Sequence, residues 1–364
     1  MRMFNKKAVA ALILILTGIS ILWCAAGILV FNIYLADRAA PETGERDGLE
    51  NGGEELAAGS AGPAGTADCP VSPSLLEARR AAAAPDNAAS GGPGGAPAVL
   101  EALHAQLKRK IQERSLTVYL SLYDFATGGQ VKINAHEPFY PASMIKTLLL
   151  LAALEQVDRG RIGLDDPYTL AEKDKYVGET RVTGSGTLQY AAPGTVFTFE
   201  ELLSLMVGVS DNVAANILFD WVGPERIEAM ARRLELKDTA FTRKMFNLQS
   251  DAPVNRATAF ELTRMLLALE NAEIVPDELS RKGIAMMLDT KDKRIGLYTG
   301  ERAAVANKVG TASDVIGDMA LLYFPGRPPI ALTIAVADPP DWEEAATFIG
   351  ELAALITELL LGIK

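Results

Sequence analysis

Histidine and cysteine are nearly missing from this chain, with two of each in 364 residues. His104 and His136 have no partner at metal-ligand spacing, so no zinc site and no metal is expected. Cys24 falls in an apolar run and Cys69 in a stretch rich in small residues, so neither can staple a core. A chain bound for an oxidising compartment can lack disulfides, so this shortage leaves location open. Basic charge is short as well: 35 Lys and Arg face 46 Asp and Glu, a net charge of −11. Phosphate contacts need a basic surface, which argues against a nucleic-acid partner. No internal repeat is visible.

Long apolar runs are not lacking. Arg2, Lys6 and Lys7 precede a nearly unbroken apolar stretch from Ala8 to Leu35, which Asp37, Arg38 and Glu42 follow. The stretch is long enough to cross a bilayer with some tilt, and it exceeds the apolar core of a cleaved signal peptide. A lipidated cysteine would want a small residue before it, whereas Trp23 precedes Cys24. The expectation is a single-pass cell-membrane anchor over residues 8–35. Residues 1–7 are then cytoplasmic and the remainder extracytoplasmic. Residues 36–97 turn to Gly, Ala, Pro, Ser and Glu, a composition that builds no core and reads as a flexible tether.

The folded domain is expected over 98–364. Leu100, Leu103, Leu107 and Ile111 recur at helical spacing. Residues 116–123 alternate as a strand, Thr127-Gly128-Gly129 turns the chain, and a second strand follows near 130–134. Residues 143–157 are apolar on nearly every side, the pattern of a buried central helix. Helical patterns also cover 199–207, 212–222, 224–234, 257–269 and 276–288. Strand patterns return at 304–308, 315–324 and 330–337, and a helix closes the chain at 341–361. Strands and helices at both ends around a helical middle predict an α/β (α+β sandwich) fold. In it an antiparallel sheet built from both chain ends is flanked by helices, beside an all-helical lobe.

Three short segments carry chemistry. The first is Ser143-Met144-Ile145-Lys146, which opens the most apolar helix. A Ser-x-x-Lys alone arises by chance about once or twice in a chain of this length. Here, though, Ser143 falls at a helix N-terminus, and Lys146 lies on the same face among leucines, where burial lowers an ammonium pKa as a general base requires. The second is Ser210-Asp211-Asn212, between two helices. Its simplest reading is a helix cap, and its functional reading has Ser210 pass a proton to a leaving nitrogen while Asn212 donates to a substrate amide carbonyl. Asn216, one turn on, is expected to hold nearby backbone. The third is Lys308-Val309-Gly310-Thr311. Lys308 brings positive charge, Gly310 lets the strand backbone approach the ligand, and the Thr311 hydroxyl can bind a substrate carboxylate. The backbone N–H groups of Ser143 and Thr311 together would form an oxyanion hole.

In order and spacing these segments match the three-part site of serine acyl-transfer enzymes. From about Ala98 to Leu361 the chain resembles the class A serine beta-lactamase and penicillin-recognising family. The resemblance extends to Pro141-Ala142, Gly184-Ser185-Gly186-Thr187-Leu188-Gln189, Pro193-Gly194-Thr195 and Val213-Ala214-Ala215-Asn216. It implies a cofactor-free hydrolase whose serine, Ser143, is acylated by a beta-lactam and released by water. The alternatives are a D-Ala-D-Ala peptidase acting on cell-wall peptides, and a penicillin-binding sensor that stays acylated.

Three departures bear on the choice. Family hydrolases place a water-activating glutamate on a loop between the second and third motifs. Here the corresponding stretch is Thr242-Arg243-Lys244-Met245-Phe246-Asn247. That puts Met245 at the glutamate position, and a thioether cannot take a proton from water. Asp251 is the nearest carboxylate to replace it, and Asn247 or Asn255 could hold a water. Val309 stands where a hydroxyl residue is usual. The strand 315–324 also lacks the arginine that often binds a substrate carboxylate, leaving Arg302 or Arg327 as replacements.

Overall fold

A computed structural model of the chain describes residues 95–247, 250–299 and 302–362. The membrane anchor and tether expected over 8–35 and 36–97 lie outside, or all but outside, these residues. Among the described residues no helix is long and apolar enough to cross a membrane.

Helix α1 (Gly95–Arg114) leads into strands β1 (Thr117–Asp124) and β2 (Gly129–Ile133). A 3-10 turn, Ala142–Ile145, runs straight into helix α2 (Lys146–Asp158). Two small ribbons follow, β3 (Pro167–Thr169) with β6 (Val196–Thr198), and β4 (Tyr176–Val177) with β5 (Thr180–Arg181). The helical middle comprises α3 (Phe199–Gly208), α4 (Asn212–Val222), α5 (Pro224–Arg233), α6 (Ala259–Glu270) and α7 (Asp277–Leu288). Strands β7 (Ala304–Ala312), β8 (Val315–Tyr323) and β9 (Ile330–Ala337) then precede helix α8 (Trp342–Leu361).

Five strands form one antiparallel sheet in the order β2-β1-β9-β8-β7, so the first strands of the domain pair with the last one. Strand β8 is buried along its whole length, because both faces of the sheet are covered. On one face Val118, Leu120, Ile316, Leu332 and Ile334 pack with Leu103 and Leu107 of α1 and Phe348 and Leu352 of α8. On the other face lie Met319 and Ala335, with the helical lobe. At the lobe's centre is α2, whose residues Leu148 to Leu154 are fully buried. The antiparallel sheet, its flanking helices and the helical lobe match the expected architecture.

Two local readings change. The strand expected to end at Lys308 runs on to Ala312, carrying the whole third motif into the sheet's edge. The α-helix expected to open at Ser143 instead opens at Lys146. Ala142 has a left-handed φ of 47°, which makes the chain enter through a tighter turn and places Ser143 within it.

Candidate active site

The three motifs meet where the helical lobe abuts the edge strand β7. Gly310 makes this approach close. A side chain there would place its first carbon 2.6 Å from the carbonyl oxygen of Pro141 and 3.1 Å from Met144. The glycine thus admits the backbone of the Ser143 turn. Thr311, one residue further on, emerges at the rim of the cavity beside Ser143.

Asp211 fixes the middle motif. One of its carboxylate oxygens caps α4, accepting from the Val213 and Ala214 N–H groups at 2.9 Å. The other accepts from the N–H groups of Thr187 and Leu188, at 2.6 and 2.8 Å. This cap draws the loop around Gly184-Ser185-Gly186 against the site, and Gly186 tolerates no side chain because Asp211 occupies its place. Ser210 sits in the left-handed region, at φ 56°. Both its carbonyl and its hydroxyl then turn towards Lys146.

Lys146 is fully buried, and among the described residues its hydrogen-bond partners are all oxygens without charge. Its ammonium donates to the Ser210 carbonyl (2.7 Å), the Asn212 Oδ1 (2.8 Å), the Ser210 Oγ (3.3 Å) and the Asp211 carbonyl (3.5 Å). Burial and the nearby Lys308 hold its pKa well below the usual lysine range, and the Asp211 charge opposes them only in part. Lys308 is buried too, with its pKa lowered to about 7 by burial against the favourable charge of Asp318. It donates to the Ser210 Oγ at 2.8 Å, so one hydroxyl is shared between two lysines. The Nδ2 of Asn212 donates to the Thr183 carbonyl (2.8 Å), and the second N–H of that amide is available at the cavity.

Ser143 lines two chambers. The larger, about 600 Å³, is lined by Tyr140, Ser143, Asn212, Met245, Asn247 and Asp314 among others. The smaller, about 270 Å³, is lined by Ser143, Ser210, Lys291, Arg294, Lys308 and Thr311 among others. Basic groups outnumber acidic ones in this smaller chamber, which suits an anion.

The loop bearing Met245 is held by two amides. Asn216 accepts from the Met245 N–H (2.7 Å) and donates to its carbonyl (3.0 Å), so it reaches further than its own segment. The Asn255 Oδ1 accepts from the Thr242 and Arg243 N–H groups (both 2.9 Å), and its Nδ2 donates to the Arg243 carbonyl (2.9 Å). Asn255 therefore serves the loop, with little of its polar capacity left for a water. Met245 and Asn247 line the larger chamber, whereas Asp251 is exposed and lines neither.

An arginine other than the two candidates stands at the smaller chamber: Arg294, ahead of β7. Arg327 pairs with Asp124, and Arg302 is exposed outside both chambers. One terminal nitrogen of Arg294 donates to the Gly310 and Gly317 carbonyls (2.8 and 2.9 Å). The other donates to the Thr311 Oγ1 (2.7 Å) and the Asp292 carboxylate (2.9 Å). With its oxygen accepting from Arg294, the Thr311 hydroxyl has its own proton free to donate into the smaller chamber. No spacing rule in the sequence marked Arg294; only its fold position, beside the end of β7, does.

The comparisons with known proteins agree with this geometry. The profile of the beta-lactamase enzyme family matches residues 102–360. A beta-lactamase of Streptomyces fradiae is 30% identical over 248 residues, 65% of this chain and 79% of that protein. The crystal structure of a beta-lactamase from Sphaerobacter thermophilus has a TM-score of 0.64 at 26% identity, covering 72% of this chain and 96% of that one. PBP-A, in a leucine-to-glutamate variant solved as an acyl-enzyme complex with penicillin G, shares the fold. Its TM-score is 0.65 at 22% identity, over 72% of this chain and 97% of that one. With a serine-bearing turn, a buried lysine and a cationic edge strand assembled as above, the chain belongs to the beta-lactamase enzyme family, as a serine hydrolase of the class A type.

Proposed function

We propose that this protein opens beta-lactam rings through an acyl-enzyme on Ser143 and releases the product slowly. The observation that carries the reading is the buried Lys146, held by neutral oxygens beside the lysine-bridged Ser210 hydroxyl. Burial lowers the pKa of an amine so placed, which favours the neutral form that takes the Ser143 proton as its oxygen attacks the lactam carbonyl. The Ser143–carbonyl bond forms and the lactam C–N bond breaks. The proton then passes from Lys146 through Ser210 to the departing nitrogen. The backbone N–H groups of Ser143 and Thr311 hold the developing oxyanion, the latter from an edge strand whose alternate N–H groups face away from β8. Asn212 holds the acyl-side amide, while Lys308, Thr311 and Arg294 hold the substrate carboxylate.

Slow release follows from Met245, which puts a thioether on the wall where water must be activated. The same observation favours a second reading, a D-Ala-D-Ala peptidase or a penicillin-binding sensor with a long-lived ester. The apolar stretch 8–35 supports a membrane-tethered domain facing cell-wall peptides outside the cytoplasm. The test is to mix the full-length chain with a chromogenic cephalosporin and, separately, with a D-Ala-D-Ala-terminated peptide. Continuing release of opened cephalosporin supports the proposal. A single burst with no turnover supports the sensor, and release of D-alanine alone supports the peptidase.

A further inference from the structure

Arg294 makes four hydrogen bonds through its guanidinium, none of which fixes the backbone that carries it. That backbone, residues 290–295, is tethered from both sides by two residues the mechanism does not use. The Ile295 N–H donates to the Asp318 carboxylate at 2.9 Å. The Nδ2 of Asn307 donates to the Asp292 carbonyl at 2.8 Å, and the Thr290 hydroxyl to the Asn307 carbonyl at 2.8 Å. Asn307 and Asp318 are joined as well, the amide donating to both carboxylate oxygens at 2.9 and 3.1 Å.

Both residues are fully buried, on the side of the sheet away from Ser143. Asp318 pairs with Val309 across β7 and β8, so its side chain shares Val309's face. Gly310, next along, faces the Ser143 turn on the opposite side. Such a pair is costly there. Among the described residues the buried Asn307 Oδ1 has no partner, and reversing the amide would set that oxygen against the Asp292 carbonyl and the Asp318 carboxylate. Burial pushes the Asp318 carboxyl up to about 6, despite its hydrogen bonds. Apolar side chains of similar volume would cost less in such a place, so the contribution of the pair lies in geometry.

We propose that Asp318 and Asn307 are positioning residues, which hold the segment carrying Arg294 so that the Thr311 hydroxyl points at a substrate carboxylate. The chain of contacts runs from Asp318 to Ile295, through Arg294 to the Thr311 Oγ1, and none of the first three faces the reacting carbonyl. This inference rests on the reading of Arg294 and Thr311 as the carboxylate site.

The test is a double-mutant cycle in the full-length protein, following acylation by benzylpenicillin and by its methyl ester by intact mass. Asp318→Asn should raise the half-saturating concentration of benzylpenicillin about tenfold, as expected for one charge-assisted hydrogen bond lost in effect. The limiting acylation rate should change less than about twofold, and the methyl ester should respond little. In an Arg294→Ala background the same substitution should add less than about a factor of two, because interacting residues are not additive. Equal effects in both backgrounds, or equal effects on acid and ester, would overturn the inference, since a merely structural role gives both. If Asp318→Asn does not fold, Asn307→Ala cuts the other tether and carries the same expectations in the same cycle. If Arg294→Ala alone leaves the half-saturating concentration unchanged, the carboxylate reading is wrong and the inference falls with it.

Discussion

If release of the acyl group is slow as proposed, replacing Met245 by glutamate should quicken it without rebuilding the site. Methionine and glutamate have side chains of the same length, and the backbone at position 245 is set by Asn216 rather than by the side chain. The carboxylate would enter the chamber wall that Ser143, Asn212 and Asn247 share. A positioned general base is worth about 10²–10⁴-fold, so release of the acyl group should accelerate by about that factor. At about 1.4 kcal/mol per decade, this lowers the barrier by about 3–5 kcal/mol. Burying a carboxylate at a side chain now 7% exposed should cost more stability than the about 1–3 kcal/mol of a buried neutral polar group. The new charge should also raise the Lys146 pKa, so acylation should slow by less than release quickens. Single-turnover mass measurements separate the two steps. A variant that acylates normally but releases product no faster than the parent would refute the view that Met245 limits turnover.

Other perturbations reach other parts of the account. Lys146→Ala should slow acylation of Ser143 by about 10²–10⁴-fold, read from the rate of adduct formation with the melting temperature as a folding control. The Lys308 pKa of about 7 gives a pH signature. Its charge is present below pH 7 and lost above, so the half-saturating concentration of a carboxylate substrate should rise as pH passes upward through 7, while a methyl ester's should not. Gly310→Ala forces a carbon against the Pro141 carbonyl and Met144, and should destabilise the fold by about 1–3 kcal/mol in thermal or urea melts.

The parts of this site written as contiguous runs are legible in the sequence. Ser143 to Lys146 and Ser210 to Asn212 each stand at the start of a helical segment, where a cap residue and an apolar period mark the place. The sheet was legible because 315–324 and 330–337 are short apolar runs bounded by Gly and Pro, as strands buried on both faces require. Arg294 was not legible, because it acts from an irregular segment by reaching carbonyls in two different strands. The contact of Gly310 with the Ser143 turn was hidden for a similar reason: a sequence shows that a side chain is missing, but not which backbone fills the space. The small ribbons β3–β6 were missed because two- and three-residue strands carry no period. Asp318 was invisible among apolar neighbours, since nothing local distinguishes a buried carboxylate from a solvated one.

The central claim is that Ser143 is the nucleophile and Lys146 its base. The most direct measurement is intact mass of the full-length chain after brief exposure to benzylpenicillin, followed by proteolysis to locate the added mass. The account predicts one penicilloyl group on the peptide containing Ser143, its loss in Ser143→Ala, and its slow formation in Lys146→Ala. An adduct on another residue, or one formed at the same rate without Lys146, would contradict it.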